Sequence, residues 1–96
     1  MLSGKQKRYL RSIAQREKAI LQIGKDALSD NLFVAVDNAF NTRELVKISV
    51  LKTAPTDLEE LAFDVARHTN SEIVQIIGRT IILYRKAKEP KIILPC

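Results

Sequence analysis

The chain has 96 residues, 46% of them apolar, which suits one domain with a core of its own and is too short for two. One cysteine, Cys96, excludes an internal disulfide framework, and one histidine, His68, leaves little for a metal centre. The net charge of +5 is segregated: residues 1–25 hold seven basic and one acidic residue (+6), residues 26–70 four and eight (−4), and residues 71–96 five and two (+3). If the two ends meet in space, they form one basic surface facing a polyanion.

No apolar run of signal-peptide length follows the basic start MLSGKQKRYLRSIAQ, and no stretch approaches the ~20 apolar residues that span a bilayer. A reducing, cytoplasmic setting is therefore expected. A single domain over 1–96 is expected, with a core to residue 85 and a basic tail over 86–96.

In chain order, the first helix runs from Gly4 to Glu17, opened by a capping box of Ser3 and Gln6. At 100° per residue, Tyr9, Leu10, Ile13 and Ala14 share one face, while Lys5, Lys7, Arg8, Arg11 and Arg16 share the other. Only Glu17 opposes those cations, whereas a merely solvated helix mixes signs for i,i+4 pairing. Strand one is Ala19 to Ile23, followed by the loop Gly24-Lys25-Asp26-Ala27. A strand leading through a short loop into a helix N-terminus can present backbone N–H groups to phosphate, and Lys25 adds a charge.

The second helix starts after an N-cap Ser29 and runs to Phe40, burying Leu32, Phe33, Val36 and Phe40. Strand two spans Glu44 to Leu51, with Val46, Ile48 and Val50 alternating against Lys47 and Ser49. Thr56 and Glu59 suggest a capping box for the third helix, Asp57 to His68, whose stripe is Leu58, Leu61, Ala62, Val65 and Ala66. His68 sits in its last turn, where a cation suits the helix dipole. Strands three (Glu72 to Ile77) and four (Thr80 to Arg85) form a hairpin about Gly78-Arg79, and lack polar alternation as if covered on both faces. A short edge strand is expected at Ile92–Leu94.

The order α-β-α-β-α-β-β gives an α+β, two-layer reading: a mixed four-stranded sheet with helices two and three on one face, right-handed crossovers and an antiparallel last strand. Pattern alone does not place the first helix; covering the second face would explain the apolar hairpin. Tyr9 and Tyr84 are the aromatic candidates for base stacking, with core packing the first expectation for both.

The segments LSGKQKRYLRSIA, QIGK, RELVKISVL and VQIIGRTIILYR resemble, in order and over about residues 2–95, the CRM domain (chloroplast RNA splicing and ribosome maturation). The nearest likeness is to its stand-alone bacterial, YhbY-type form. The resemblance implies a fold similar to the C-terminal domain of translation initiation factor three, and RNA binding, with bacterial members associating with precursors of the large ribosomal subunit. It also implies a GxxG loop that clamps nucleic-acid backbone. That loop maps onto Gly24, Lys25, Asp26 and Ala27, and departs from the pattern twice: Ala27 replaces the second glycine, and Asp26 brings a negative charge. A weaker loop shifts binding toward helix one and the 79–86 region.

The expected RNA-binding set is therefore Lys5, Lys7, Arg8, Arg11, Gly24, Lys25, Asp26, Ala27, Arg79, Arg85 and Lys86, lying on one continuous surface. No catalytic residue, metal, cofactor, small-molecule substrate or membrane is expected, and the state expected is a monomer. The leading function is binding ribosomal RNA or large-subunit precursors during assembly. The alternatives are a protein-interaction module whose third helix docks a basic ribosomal protein, and a sequence-tolerant DNA-binding protein.

Overall fold

The computed structural model describes residues 2–24, 30–52 and 57–95. Helix α1 (Gly4–Ala14) opens on the expected box: the Gln6 N–H donates to Ser3 Oγ at 3.1 Å and the Ser3 N–H to Gln6 Oε1 at 3.0 Å. It ends three residues earlier than Glu17. The Arg16 and Glu17 amides bond back only three residues, to Ile13 and Ala14, so the last turn tightens. The Lys47 ammonium donates to the Ala14 and Glu17 carbonyls at 3.3 Å each, placing a cation at the negative end of the helix.

Strand β1 (Leu21–Ile23) is shorter than expected at its start, although the Ile20 amide still reaches the Lys47 carbonyl. Helix α2 (Asp30–Phe40) and strand β2 (Leu45–Val50) follow; the Ser29 N-cap lies outside the described residues. Helix α3 (Leu58–Thr69) is capped by Asp57, whose carboxylate accepts from the Glu59 N–H at 3.0 Å. Asp57 thus takes the role expected of Thr56, which lies outside the described residues; a carboxylate there also suits the positive end of the helix. The helix stops at Asn70, in the left-handed region at φ 53, a conformation asparagine tolerates better than most residues.

Strands β3 (Glu72–Ile77) and β4 (Thr80–Tyr84) form the hairpin, with Gly78 at φ 56 in its turn. The sheet order is β1-β2-β4-β3: β1 pairs parallel with β2, and β4 lies antiparallel between β2 and β3. The last strand is therefore central. It is buried at four of its five positions, while β3 is an edge strand with only Val74 buried, so the expectation that both hairpin strands are covered on both faces holds for β4 alone. An irregularity between Ile73 and Gln75 marks a bulge in that edge.

The α+β class and the mixed four-stranded sheet agree with the sequence, and α1 adds a third layer. Val46, Ile48, Val50, Ile81 and Leu83 face α2 and α3 in the larger core, which includes Val36, Phe40, Leu61 and Val65. Leu45, Val74, Ile82 and Tyr84 face the other way, against Leu2, Leu10 and Ala14. Helix α1 thus covers the second face of the hairpin, the reason its strands lack polar alternation.

No strand forms at Ile92–Leu94. The Lys91 and Ile92 amides instead donate to Glu44 Oε1 at 2.6 and 2.9 Å, and Gln6 Nε2 donates to the Pro95 carbonyl. Ile92 and Leu94 pack against the α1 core. A side-chain carboxylate has replaced ladder pairing as the partner of the tail.

Candidate nucleic-acid interface

Two layers of opposite charge flank the sheet. Helices α2 and α3 carry Asp37, Glu59, Glu60 and Asp64 against Arg67 and His68. Helix α1 carries Lys5, Lys7, Arg8 and Arg11 and no acidic residue. Leu10 and Ala14 anchor it to the sheet, fully buried. Lys5 and Arg8 are exposed on its outer surface, while Lys7 and Arg11 are half-buried along one flank. None of the four has an ion-pair partner among the described residues.

Strand register defines what lies beside that flank. Gln22 pairs with Ser49, Ser49 with Thr80, and Thr80 with Ile77, so one row crosses all four strands on the α1 face. The next row, Lys47, Ile82 and Gln75, is where α1 begins to cover the sheet, since Ile82 is buried in its core and Lys47 caps it. The Gln22 row stays open: Gln22 and Ile77 are exposed, Ser49 and Thr80 half-buried. The tail occupies the Gln6 and Ile13 flank of α1, on the side of Glu44, so Lys7 and Arg11 line the flank turned toward the open row. Sequence reasoning missed this row. The polar alternation of Lys47 and Ser49 was its only trace, and the row becomes visible once register is known.

Gly24 follows β1 at the same end of the sheet, where the Leu51 amide bonds the Ile23 carbonyl. Lys25, Asp26 and Ala27 lie outside the described residues. Arg79 is at this end too. Its Nε donates to the Val50 carbonyl at 3.0 Å and its Nη2 to the Leu51 carbonyl at 2.7 Å, tying the hairpin to the end of β2. Both acceptors are neutral, and among the described residues no carboxylate pairs with Arg79.

Arg85 is placed differently, and the expectation of one continuous surface is corrected there. It sits at the opposite end of β4 and points into the α2/α3 layer, following the parity of Ile81 and Leu83. Its Nη1 reaches Asp37 Oδ1 at 2.6 Å and the Thr69 carbonyl at 2.9 Å, and its guanidinium lies 4.8 Å from the Phe40 ring centre. The charge is neutralised and used to join α2, α3 and β4. Lys86 is exposed at the same far end.

The tyrosines also separate. Tyr84 is buried in the α1 core, as expected, and burial pushes its phenol above the ordinary 10.0, with the charges of Glu44 and Glu72 adding to the shift. Tyr9, expected in the core, is 41% exposed, because its position on α1 falls at the edge of the apolar stripe. His68 stacks on Phe33 at 4.1 Å and bonds the Asp64 carbonyl through Nδ1, a packing role. Among the described residues, no three His, Cys, Asp or Glu side chains could hold a metal ion together, and no helix is long and apolar enough to cross a membrane.

The sequence profile of the CRS1 / YhbY (CRM) domain matches residues 2–85. The chain belongs to the CRM family. The Bacillus subtilis (strain 168) relative named "Probable RNA-binding protein YqeI" is 43% identical over 91 residues, covering 95% of each chain. A Haemophilus influenzae relative named "RNA-binding protein" is 32% identical over 94 residues, covering 98% of this chain and 95% of its own. Both relatives are close to this chain in length. The solution structure of SAV1595 from Staphylococcus aureus superposes with a TM-score of 0.84 at 46% identity, covering 99% of this chain and 100% of that one.

Proposed function

We propose that this CRM protein binds structured RNA, and that its target is ribosomal RNA within precursors of the large ribosomal subunit. The observation that carries the reading is the cationic flank of α1, without an ion-pair partner among the described residues, beside the uncharged Gln22, Ser49 and Thr80 and the Gly24 end of β1, with an acidic helix layer on the other face. Cations release counterions from phosphates, hydroxyls and amides bond sugars and base edges, and an acidic layer keeps the opposite face off the nucleic acid. Lys5, Lys7, Arg8, Arg11, Gly24, Lys25, Asp26 and Ala27 form this contact surface, with Arg79 adding charge at its edge. The names of the relatives support RNA as the ligand; the ribosomal target is what the resemblance to the stand-alone bacterial form implies.

In this reading the protein positions RNA and performs no chemistry, working as a monomer in the cytoplasm without cofactor. Crosslinking in cells followed by sequencing of the attached RNA tests the target: large-subunit ribosomal RNA should be enriched, and a profile without it rejects the ribosomal assignment. Filter binding against duplex DNA of equal length tests the class of ligand, with RNA expected to bind more tightly at every salt concentration.

A second reading rests on Phe63, which is 61% exposed on α3 near Glu59, Glu60 and Asp64. An exposed aromatic among carboxylates suits a basic protein segment, such as that of a ribosomal protein. A Phe63→Ala variant that binds RNA normally yet fails to join precursor particles would favour it.

A further inference from the structure

The end of the sheet remote from Gly24 carries a second concentration of positive charge. An open groove of about 1170 Å³ runs there between the C-terminal ends of α1 and α2 and the segment that follows β4. Arg43, Lys86, Lys88 and Lys91 line it, all exposed and none with an ion-pair partner among the described residues. Glu17 and Glu89 also border it, while Glu44 is 5% exposed with one oxygen committed to the tail amides. The rim is therefore net positive, and its charges are available to a ligand.

These lysines are not carried on a loose end. Arg85 is fixed on one side of them by Asp37, Thr69 and Phe40. On the other side Glu44 holds the Lys91 and Ile92 amides, and Ile92 and Leu94 are packed under α1. The segment is thus pinned at both ends, and its three lysines project from backbone of fixed course. Less entropy is lost when such side chains meet phosphate than when a free tail does. Tyr9 adds an aromatic face. It shares the Gln6 and Ile13 stripe of α1, the flank bordering the tail, and its 41% exposed ring lies outside the groove lining, one helical turn before Ile13, where a base leaving the groove can stack.

The two cationic regions are separate in space. Arg79 and Arg85 bracket β4, and six residues of extended chain at about 3.3 Å each span roughly 20 Å. That exceeds twice the ~8 Å Debye length at physiological ionic strength, so Arg79 at one end of β4 and the lysines that follow Arg85 at the other attract separate phosphates. Helix α1 itself stands between them, its Lys7 and Arg11 flank facing one and its Tyr9 and Ile13 flank facing the other.

We infer that the protein grips two RNA segments at once, one at the open row beside α1 and one in this groove, and so bridges strands of a folded RNA. The inference rests on the RNA-binding reading above and adds a second, independent site to it. On a long RNA the two sites bring together segments distant in sequence.

The test uses the full chain with two unstructured, non-complementary RNA oligonucleotides of about ten nucleotides, carrying donor and acceptor fluorophores. Calorimetry reads the stoichiometry, and energy transfer reads their presence on one protein. Two RNAs per chain with energy transfer are expected at low salt. The groove variant K86E/K88E/K91E should bind one RNA per chain and show no transfer. The helix variant K7E/R8E/R11E should also show no transfer while retaining one RNA per chain. Circular dichroism verifies that both variants fold. One RNA per wild-type chain without transfer overturns bridging and leaves RNA binding standing. A groove variant that still binds two RNAs with transfer overturns the assignment of the second site. Absence of salt-sensitive binding by the wild type both to these oligonucleotides and to a folded ribosomal RNA fragment overturns both readings.

Discussion

Reversing charge on α1, with Lys7, Arg8 and Arg11 all changed to Glu, should cost more RNA affinity than Lys25→Ala. None of the three side chains is fully buried, and Leu10 and Ala14, which seat the helix on the sheet, are untouched. Each neutralised phosphate contributes about −0.7 (single strand) to −0.9 (duplex) to the slope of log affinity against log salt. Losing three contacts should flatten that slope by roughly 2 to 3, which at 0.1 M salt, referred to 1 M, is about 100- to 500-fold in affinity. Losing one contact at Lys25 changes the slope by less than ~1 and the affinity by about five- to eightfold on the same arithmetic. Filter binding over four salt concentrations measures both quantities. A glutamine version of the triple variant separates loss of attraction from added repulsion, and should account for most of the change in slope. If Lys25→Ala abolishes binding while the triple variant keeps its slope, the loop is the whole site and the division argued from the helix is wrong.

Three further outcomes follow from the packing. Leu10→Ala removes a fully buried side chain from the α1 core and should destabilise the fold by about 2–5 kcal/mol, read from urea unfolding; a loss below ~1 kcal/mol would mean α1 is not anchored there. Glu44→Ala removes the acceptor of the Lys91 and Ile92 amides, so their hydrogen exchange should quicken while that of β4 stays slow; unchanged protection would show the tail held by other means. Tyr84 is an acid whose native pKa is raised, so native Tyr84 keeps its proton where the unfolded chain has lost it. Its contribution to stability is full below about pH 10 and declines as pH rises beyond that, and Tyr84→Phe should flatten this alkaline decline in the urea midpoint.

Much of the fold is legible because local chemistry decides it. Ser3 and Gln6 start α1, Val46, Ile48 and Val50 fix the buried face of β2, and Gly78 turns the hairpin, each through neighbours a few residues away. What escaped depends on partners far along the chain. The insertion of β4 between β2 and β3 is a matter of tertiary pairing, and the same pairing creates the Gln22, Ser49 and Thr80 row. Arg85 reads as a free cation until Asp37, 48 positions away, is found against it. The tail reads as a strand because Ile92 to Leu94 are apolar, but the carboxylate of Glu44 takes its donors before any ladder forms. On helix α1 the split of charge was visible from spacing alone, and which flank faces open sheet was not.

The central place of β4 has a consequence for synthesis. Chains emerge from the ribosome N-terminus first, yet the strand that joins β2 to β3 and completes both cores is made of residues 80–84. Until it arrives, the nascent chain has only a three-residue parallel pairing between β1 and β2, and α1 has no finished surface on which to dock. The cationic helix, although translated first, is positioned last. An arrested or truncated product ending before Thr80 should therefore remain unfolded, with its lysines and arginines on a random chain rather than on a shaped surface.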